Sequence, residues 1–355
     1  MFSIRVDNAA MKSFTHMSSL VAICSALGLL TFIESASAQD LRLIGSGATF
    51  PFPIYSAWFK QFSKDTSGAT VDYQAKGSGA GIQDLINRTV DFAGSDAAMT
   101  DEEIAKVKGG VVLIPSTAGQ IVIAYNLPGN PAGLRLPREV YPEIFLGKVA
   151  RWNDPRIAAA NPNIKLPDLP ITVVRRSDAS GTNFVFTKHL SAINGEFAKQ
   201  VGSGTTVQWP KSDKIVGAPG NDGVTATVRQ TPGALGYIEY GYAKLTKTNA
   251  ALLQNKAGKY IESGAQSGSA ALANAAFDAE LRGWIEDPEG AEAYPIATFT
   301  WLMFYRSQDP KKAAVLRQLV EYCATKGQAI ADSMGYIPLP ANVVEKVKVA
   351  AAEIK

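Results

Sequence analysis

Three times in this chain a short apolar run ends in a glycine-rich turn that opens directly onto a helical pattern. The stretches are LRLIGSGATFPFPIYSAWFKQFSK at 41–64, ATVDYQAKGSGAGIQDLINRTV at 69–90 and LPITVVRRSDASGTNFVFTKHL at 169–190. Short apolar runs alternating with helical segments mark an α/β fold. The length, 355 residues, suffices for two domains and a full hydrophobic core. In the first stretch Pro51 and Pro53 lie near the helix start, where a missing N–H is tolerated. In the second, Ile82, Leu85 and Ile86 share one helical face; in the third, the strand ends near Arg176 and the helix begins around Ser180.

Each junction leaves backbone N–H groups free at a helix N-terminus, beside a hydroxyl and a residue without Cβ. The unpaired N–H groups and the helix dipole both favour a bound anion there. Glycine lets the anion approach the backbone, and Ser or Thr adds a donor that rotates to suit. A single turn of this kind is more simply a helix cap. Three together, one with an arginine just upstream, point to convergence on one anion at the carboxyl ends of strands, where open α/β sheets bind ligands.

What the chain lacks narrows the chemistry. Its net charge of +3 is small, and it has no lysine/arginine block or aromatic-basic interleaving, so nucleic acid is not an expected partner. Residues 1–38 read as a cleaved secretory signal peptide: Lys12 precedes the mostly apolar run 20–33, and Ala36-Ser37-Ala38 supplies a small-x-small cleavage pattern before Gln39. A membrane anchor is the alternative, but the run is short for a span and contains a serine. Met11 is a candidate start, and the apolar surroundings of Cys24 argue against a lipid-modified cysteine.

Cleavage would leave one cysteine, Cys323, read as a helix-core residue, and one histidine, His189. That inventory rules out an internal disulfide and His-based metal sites, and it disfavours a Ser-His-Asp triad. No GxxxxGK[ST] loop occurs either. An exported chain so equipped is expected to bind rather than react.

Several motifs taken together resemble one family. GSGATFPFPIY, YQAKGSGAGIQ, VDFAGSDAAM, IFLGKVARWNDPRI, RRSDASGTNFVFT, GNDGVTATVRQTPGALGYIEY and YPIATFTWLMF are similar to the periplasmic phosphate-binding proteins of high-affinity phosphate ABC transporters, from about residue 42 to the C-terminus. The resemblance implies a type II periplasmic-binding-protein fold, with two α/β domains joined by two chain crossings and a ligand cleft between them. It implies a periplasmic, monomeric carrier of one phosphate, with no cofactor or metal and no enzymatic activity. Its partners would be inorganic phosphate and an inner-membrane ABC permease pair with its cytoplasmic ATPase. The strands GQIVIAYNL and IATFTWLMFY are the candidate crossings, dividing the chain into a first domain of 39–117 plus 297–355 and a second of 118–296.

Carried over motif by motif, Ala48, Thr49 and Phe50 would offer backbone N–H groups and the Thr49 hydroxyl, and Ser78 would serve from the second turn. Asp96 would accept a proton from the ligand, Arg176 would give the charged contact, and Ser180, Gly181 and Thr182 would form the third helix start. One position departs from the pattern: Gly79 stands where many members have a second serine.

The two aspartates admit physical readings of their own. Asp178, two residues from Arg176, is placed to hold the guanidinium fork in one orientation and partly neutralise it; capping the following helix is the other reading, and the roles are compatible. Asp96 would repel a fully ionised anion such as sulfate yet accept a hydrogen bond from phosphate, which keeps a P–OH at neutral pH. Its plainer reading is a turn residue or N-cap in SDAAMTDEE. A carrier for another tetrahedral oxyanion and, more distantly, a secreted phosphatase use the same cradle. Trp58, Tyr55 and Phe59 are expected in the core, Trp301 and Phe304 in a buried strand, and NDPRI and GNDG as turns and caps.

Overall fold

The computed structural model describes residues 41–355, so the expected signal segment, with Met11 and Cys24, lies outside the described residues. The chain opens on β1 (Leu41–Gly47), α1 (Phe52–Asp65), β2 (Ala69–Ala75), α2 (Ser78–Ile86), β3 (Phe92–Ser95) and α3 (Asp101–Ala105), then enters β4 (Val111–Tyr125). The next segment holds β5 (Arg135–Leu136), α4 (Val140–Phe145), α5 (Pro155–Ala160), β6 (Thr172–Arg176), α6 (Gly181–Ile193) and α7 (Gly195–Gln200). It continues through β7 (Ile215–Ala218), α8 (Gly220–Gln230), β8 (Ala234–Glu239), α9 (Tyr240–Thr246), β9 (Leu252–Gln254), β10 (Tyr260–Ile261) and α10 (Ala265–Leu272). After these come β11 (Ala297–Tyr305), α11 (Pro310–Ala324) and α12 (Ala341–Ala351).

Eight strands hydrogen-bond in the order β2-β1-β3-β11-β4-β8-β6-β7, and β10-β9-β5 form a small separate sheet. On one side β1 runs parallel to β2 and β3; on the other β6 runs parallel to β7 and β8. The long strand β4 belongs to both sides. From Val111 to Gln120 it pairs antiparallel with β11, and from Ile121 to Tyr125 it pairs antiparallel with β8. It therefore begins well before the expected GQIVIAYNL run. Pro115, which has no N–H to give a ladder, sits inside it beside a register shift, where Trp301 opposes Pro115 while Thr300 opposes Thr117. A bulge is where a strand tolerates such a residue.

Packing rather than propensity holds the helices that carry the turns. On α1 the buried residues are Ile54, Tyr55, Trp58, Phe59 and Phe62, one face at helical spacing. Tyr55 lies 5.1 Å from Phe59, and Phe59 meets Phe92 edge-on at 5.7 Å. Burying each such side chain contributes roughly 1.5–3 kcal/mol, far more than helix propensity supplies. On α6, Phe186 stacks on Tyr237 with centroids 4.2 Å apart. Trp301 and Phe304 lie in β11, every residue of which is buried.

Neither leftover reactive group is placed for chemistry. Cys323 is buried in α11, where burial pushes its thiol up and away from the thiolate. His189 donates from Nδ1 to the Glu286 carbonyl (2.7 Å), and Tyr141 Oη lies 2.8 Å from its Nε2. Burial lowers its pKa to about 4, so it is a neutral core residue at physiological pH.

Candidate functional site

The turns after β1, β2 and β6 and the end of β3 come together in space. After β6, the Arg176 guanidinium donates from Nε to Asp178 Oδ1 (2.8 Å) and from Nη2 to Asp178 Oδ2 (2.5 Å). Asp178 Oδ1 also accepts from the Gly220 N–H at 3.0 Å, which fixes the carboxylate from behind. Burial pushes the Asp178 carboxyl up, but the hydrogen bonds and charge of Arg176 outweigh it and hold the group below the ordinary carboxylate value. Arg176 is only 3% exposed, and its Nη1 is buried without a partner among the described residues. A buried guanidinium with one free edge calls for an acceptor that the protein does not provide.

Beside it α6 begins. Ser180 is the N-cap, accepting from the Asn183 N–H at 3.0 Å, so Asp178 does not cap α6; its backbone contact is to the first residue of α8, Gly220. The first intrahelical bond is from the Phe184 N–H to the Ser180 carbonyl (3.0 Å). The N–H groups of Gly181 and Thr182 therefore stand ahead of the helical ladder.

The turn after β1, on the opposite face, is held differently. The carbonyls of Ala48, Thr49 and Phe50 accept from Tyr73 (3.0 Å), Tyr242 (2.6 Å) and Tyr336 (2.8 Å) in turn. With three successive carbonyls clamped, the N–H groups of Thr49 and Phe50 find no protein acceptor among the described residues. Ala48 departs from expectation. Its N–H donates to the Gly94 carbonyl at 2.8 Å, because the β1–β3 pairing runs one residue past the strand, so Ala48 positions the turn rather than offering a donor. The donors also precede the helix proper, since α1 starts at Phe52 with Pro51 as its N-cap.

Ser78 opens α2 without capping it. Its Oγ instead accepts the Asp96 N–H at 3.1 Å and lies 3.4 Å from Asp96 Oδ2. Asp96 is 1% exposed, and its Oδ1 accepts from Thr300 Oγ1 at 2.8 Å. Burial raises its pKa to about 7, against the pull of the Thr300 hydrogen bond, the Arg176 charge and Ser78. It is no helix cap: Thr100 caps α3 through a capping box with Glu103.

The faces touch. A methyl group on Gly181 would lie 2.3 Å from Ser78 Oγ and 2.6 Å from Asp96 Oδ2, so only glycine permits this approach. Across the same seam the Gly79 N–H donates to the Ala179 carbonyl at 3.0 Å, and a methyl on Gly79 would come within 2.5 Å of Ala179 Cβ. The departure at Gly79 therefore has a steric reason, since a serine there would force the seam apart.

One residue at the seam escaped sequence reasoning. Asn221, in the GNDG run read as a turn and cap, lies in the first turn of α8, whose leading N–H groups, on Gly220 and Asn221, donate to Asp178 Oδ1 (3.0 Å) and Thr49 Oγ1 (3.1 Å). Its amide donates to Thr49 Oγ1 (2.9 Å) and Thr182 Oγ1 (3.0 Å), joining the two faces. The signal available was a polar residue beside two glycines, too common to single out. NDPRI does contain a cap, Asp154, which accepts from the Arg156 N–H.

A model of the PBP superfamily domain matches residues 34–326. The chain is 37% identical over 331 residues to the phosphate-binding protein PstS of Pasteurella multocida (strain Pm70), covering 92% of this chain and 94% of that one. This chain belongs to the PstS family of phosphate-binding proteins. Solved structures of similar fold include a high affinity periplasmic phosphate-binding protein bound with phosphate at pH 8.5, with a TM-score of 0.70 at 21% identity over 87% of this chain and 93% of that one. Another is an ABC-type phosphate transport receptor from Vibrio cholerae, with a TM-score of 0.54 at 17% identity over 84% of this chain and 100% of that one. The architecture is the two-lobe, type II periplasmic-binding-protein fold, and the relatives are named as binding proteins. In this PstS-family chain no helix among the described residues is long and apolar enough to cross a membrane.

Proposed function

We propose that this chain captures inorganic phosphate outside the cytoplasm and delivers it to an inner-membrane ABC permease pair driven by a cytoplasmic ATPase. The observation that carries the reading is the composition of the seam: a ring of donors with one buried carboxylate among them. Thr49, Phe50, Ser78, Arg176, Ser180, Gly181 and Thr182 surround the ligand, with Ala48 holding the first turn and Asp178 orienting the arginine. Asp96 accepts the proton that phosphate still carries, and its position excludes an anion with no proton to give.

In this reading the lobes are 39–117 with 297–355 and 118–296, and β4 and β11 are the crossings. Opening about them admits the ligand, and closing removes water, which strengthens each charge-assisted bond. Residues 1–38 serve as the export signal, and the mature chain works as a monomer without metal or cofactor.

Calorimetry of the mature chain against phosphate, sulfate and arsenate is the test. Phosphate should bind and sulfate should not, while arsenate, also protonated at neutral pH, should compete. In the Asp96→Asn variant the penalty on sulfate, several kcal/mol for like charges in contact, should fall away. A variant that rejects sulfate as strongly as wild type would remove Asp96 as the selector. Steady release of phosphate from organic esters by the pure protein would support an enzyme instead.

A further inference from the structure

Asn221 is fully buried where the two faces meet. Its Oδ1 accepts from the Glu239 backbone N–H at 2.8 Å. That group only donates, so the orientation of the amide is settled and its NH₂ must face the other way. The two amide hydrogens go to Thr49 Oγ1 (2.9 Å) and Thr182 Oγ1 (3.0 Å), and the backbone N–H of Asn221 also goes to Thr49 Oγ1 (3.1 Å).

A hydroxyl has two lone pairs and one proton. At Thr49 both lone pairs are taken, so the hydroxyl can act only as a donor, and no acceptor for its proton stands among the described residues. Thr182 likewise meets Asn221 as an acceptor, which turns its proton away from the amide. We infer that Asn221 sets the direction of both hydroxyl protons and so holds Thr49 and Thr182 as donors to the bound anion. It is a positioning residue, since its own amide hydrogens are already engaged.

The consequence falls on the ligand's proton. A P–OH turned toward Thr49 would meet no lone pair to accept it, so Asp96 is the better acceptor for that proton. Without Asn221 each hydroxyl would rotate, present a lone pair to the anion in part of its range, and blur that selection. This rests on the phosphate reading of the cleft.

Phosphate titration calorimetry on the mature chain, with each variant's fold checked by its melting transition, tests it. Asn221→Ala should weaken phosphate binding by roughly ten- to a hundredfold, the range of one hydrogen bond to a charged group. In a Thr49→Val, Thr182→Val background there are no hydroxyl protons left to orient, so the same substitution should cost less than about twofold. An equal loss in both backgrounds overturns the inference, because it would mark a role in packing alone. Asn221→Asp keeps the side-chain volume but accepts from both hydroxyls, and should weaken binding more than Asn221→Ala does; wild-type affinity in that variant also overturns it. A wild-type protein that binds no phosphate would defeat the phosphate reading and this inference together, whereas wild-type binding with unaffected variants defeats the inference alone.

Discussion

The two faces of the cleft each place an aspartate just past the end of a strand, then push it in opposite directions. Asp178 follows β6 and is clamped by Arg176 and the Gly220 N–H, so its carboxyl is held ionised below the ordinary value. Asp96 follows β3, is buried with Thr300 and Ser78 for company, and rises to about 7. One acid is used up in aiming a cation; the other is left able to share a proton. The faces differ in construction as well. Around α6 the key contacts are local, Arg176 with Asp178 and Ser180 with Asn183. The Ala48–Phe50 turn is held by Tyr73, Tyr242 and Tyr336, which lie 25, 193 and 286 positions away from the carbonyls they bind.

The contrast between the acids has the largest expected effect. In the ligand-free protein the Asp96 pKa rises from 3.8 to about 7, so between those values the folded chain binds more protons than the unfolded one. Its contribution to stability is complete below about pH 4 and is lost as pH rises through about 7, a change of about 4 kcal/mol. Asp178 runs the other way: its folded value is lowered, so its contribution is present at neutral pH and is lost as pH falls below about 4. Urea unfolding at about pH 5 and about pH 8 should show wild-type stability declining with pH and the Asp96→Asn variant losing most of that decline. An equal decline in both would erase the distinction between the faces.

Next in size is the cation. Arg176→Ala should weaken phosphate binding by roughly 1.5–3 kcal/mol, and Lys should restore only part because it lacks the planar fork. Unchanged affinity in the alanine variant would remove Arg176 from the site.

The smaller effects probe how each face is held. Ser180→Ala should cost about 1 kcal/mol of stability through the lost cap, with faster amide exchange confined to the start of α6. Tyr242→Phe should cost roughly 0.5–1 kcal/mol, with faster exchange at Thr49 and Phe50 and little change at α6. Exchange that spreads over both faces in either variant would show that the two are not built independently.

How much was legible in the chain follows the same division. Strand–turn–helix order and the Arg176–Asp178 pair depend on neighbours within a few residues, and a linear reading reaches them, although it offered Asp178 as the cap of α6 where Ser180 takes that place. The family motifs brought Thr49, Ser78 and Asp96 together on the page, and the fold places them together in space. The larger misses came from long-range partners: Ala48 lost its donor role to Gly94, and Asn221 was read as part of a turn and cap because Thr49 lies 172 positions away from it.

By itself, then, the sequence determined the α/β alternation, the glycines that let backbones approach, and the identity of the acids and the arginine. Those follow from period, propensity and local hydrogen bonding. Only the tertiary structure decided which acid stays charged, because that depends on burial and on whether a cation faces it. It also decided which N–H groups remain free, since a donor is available only when no distant carbonyl has already claimed it.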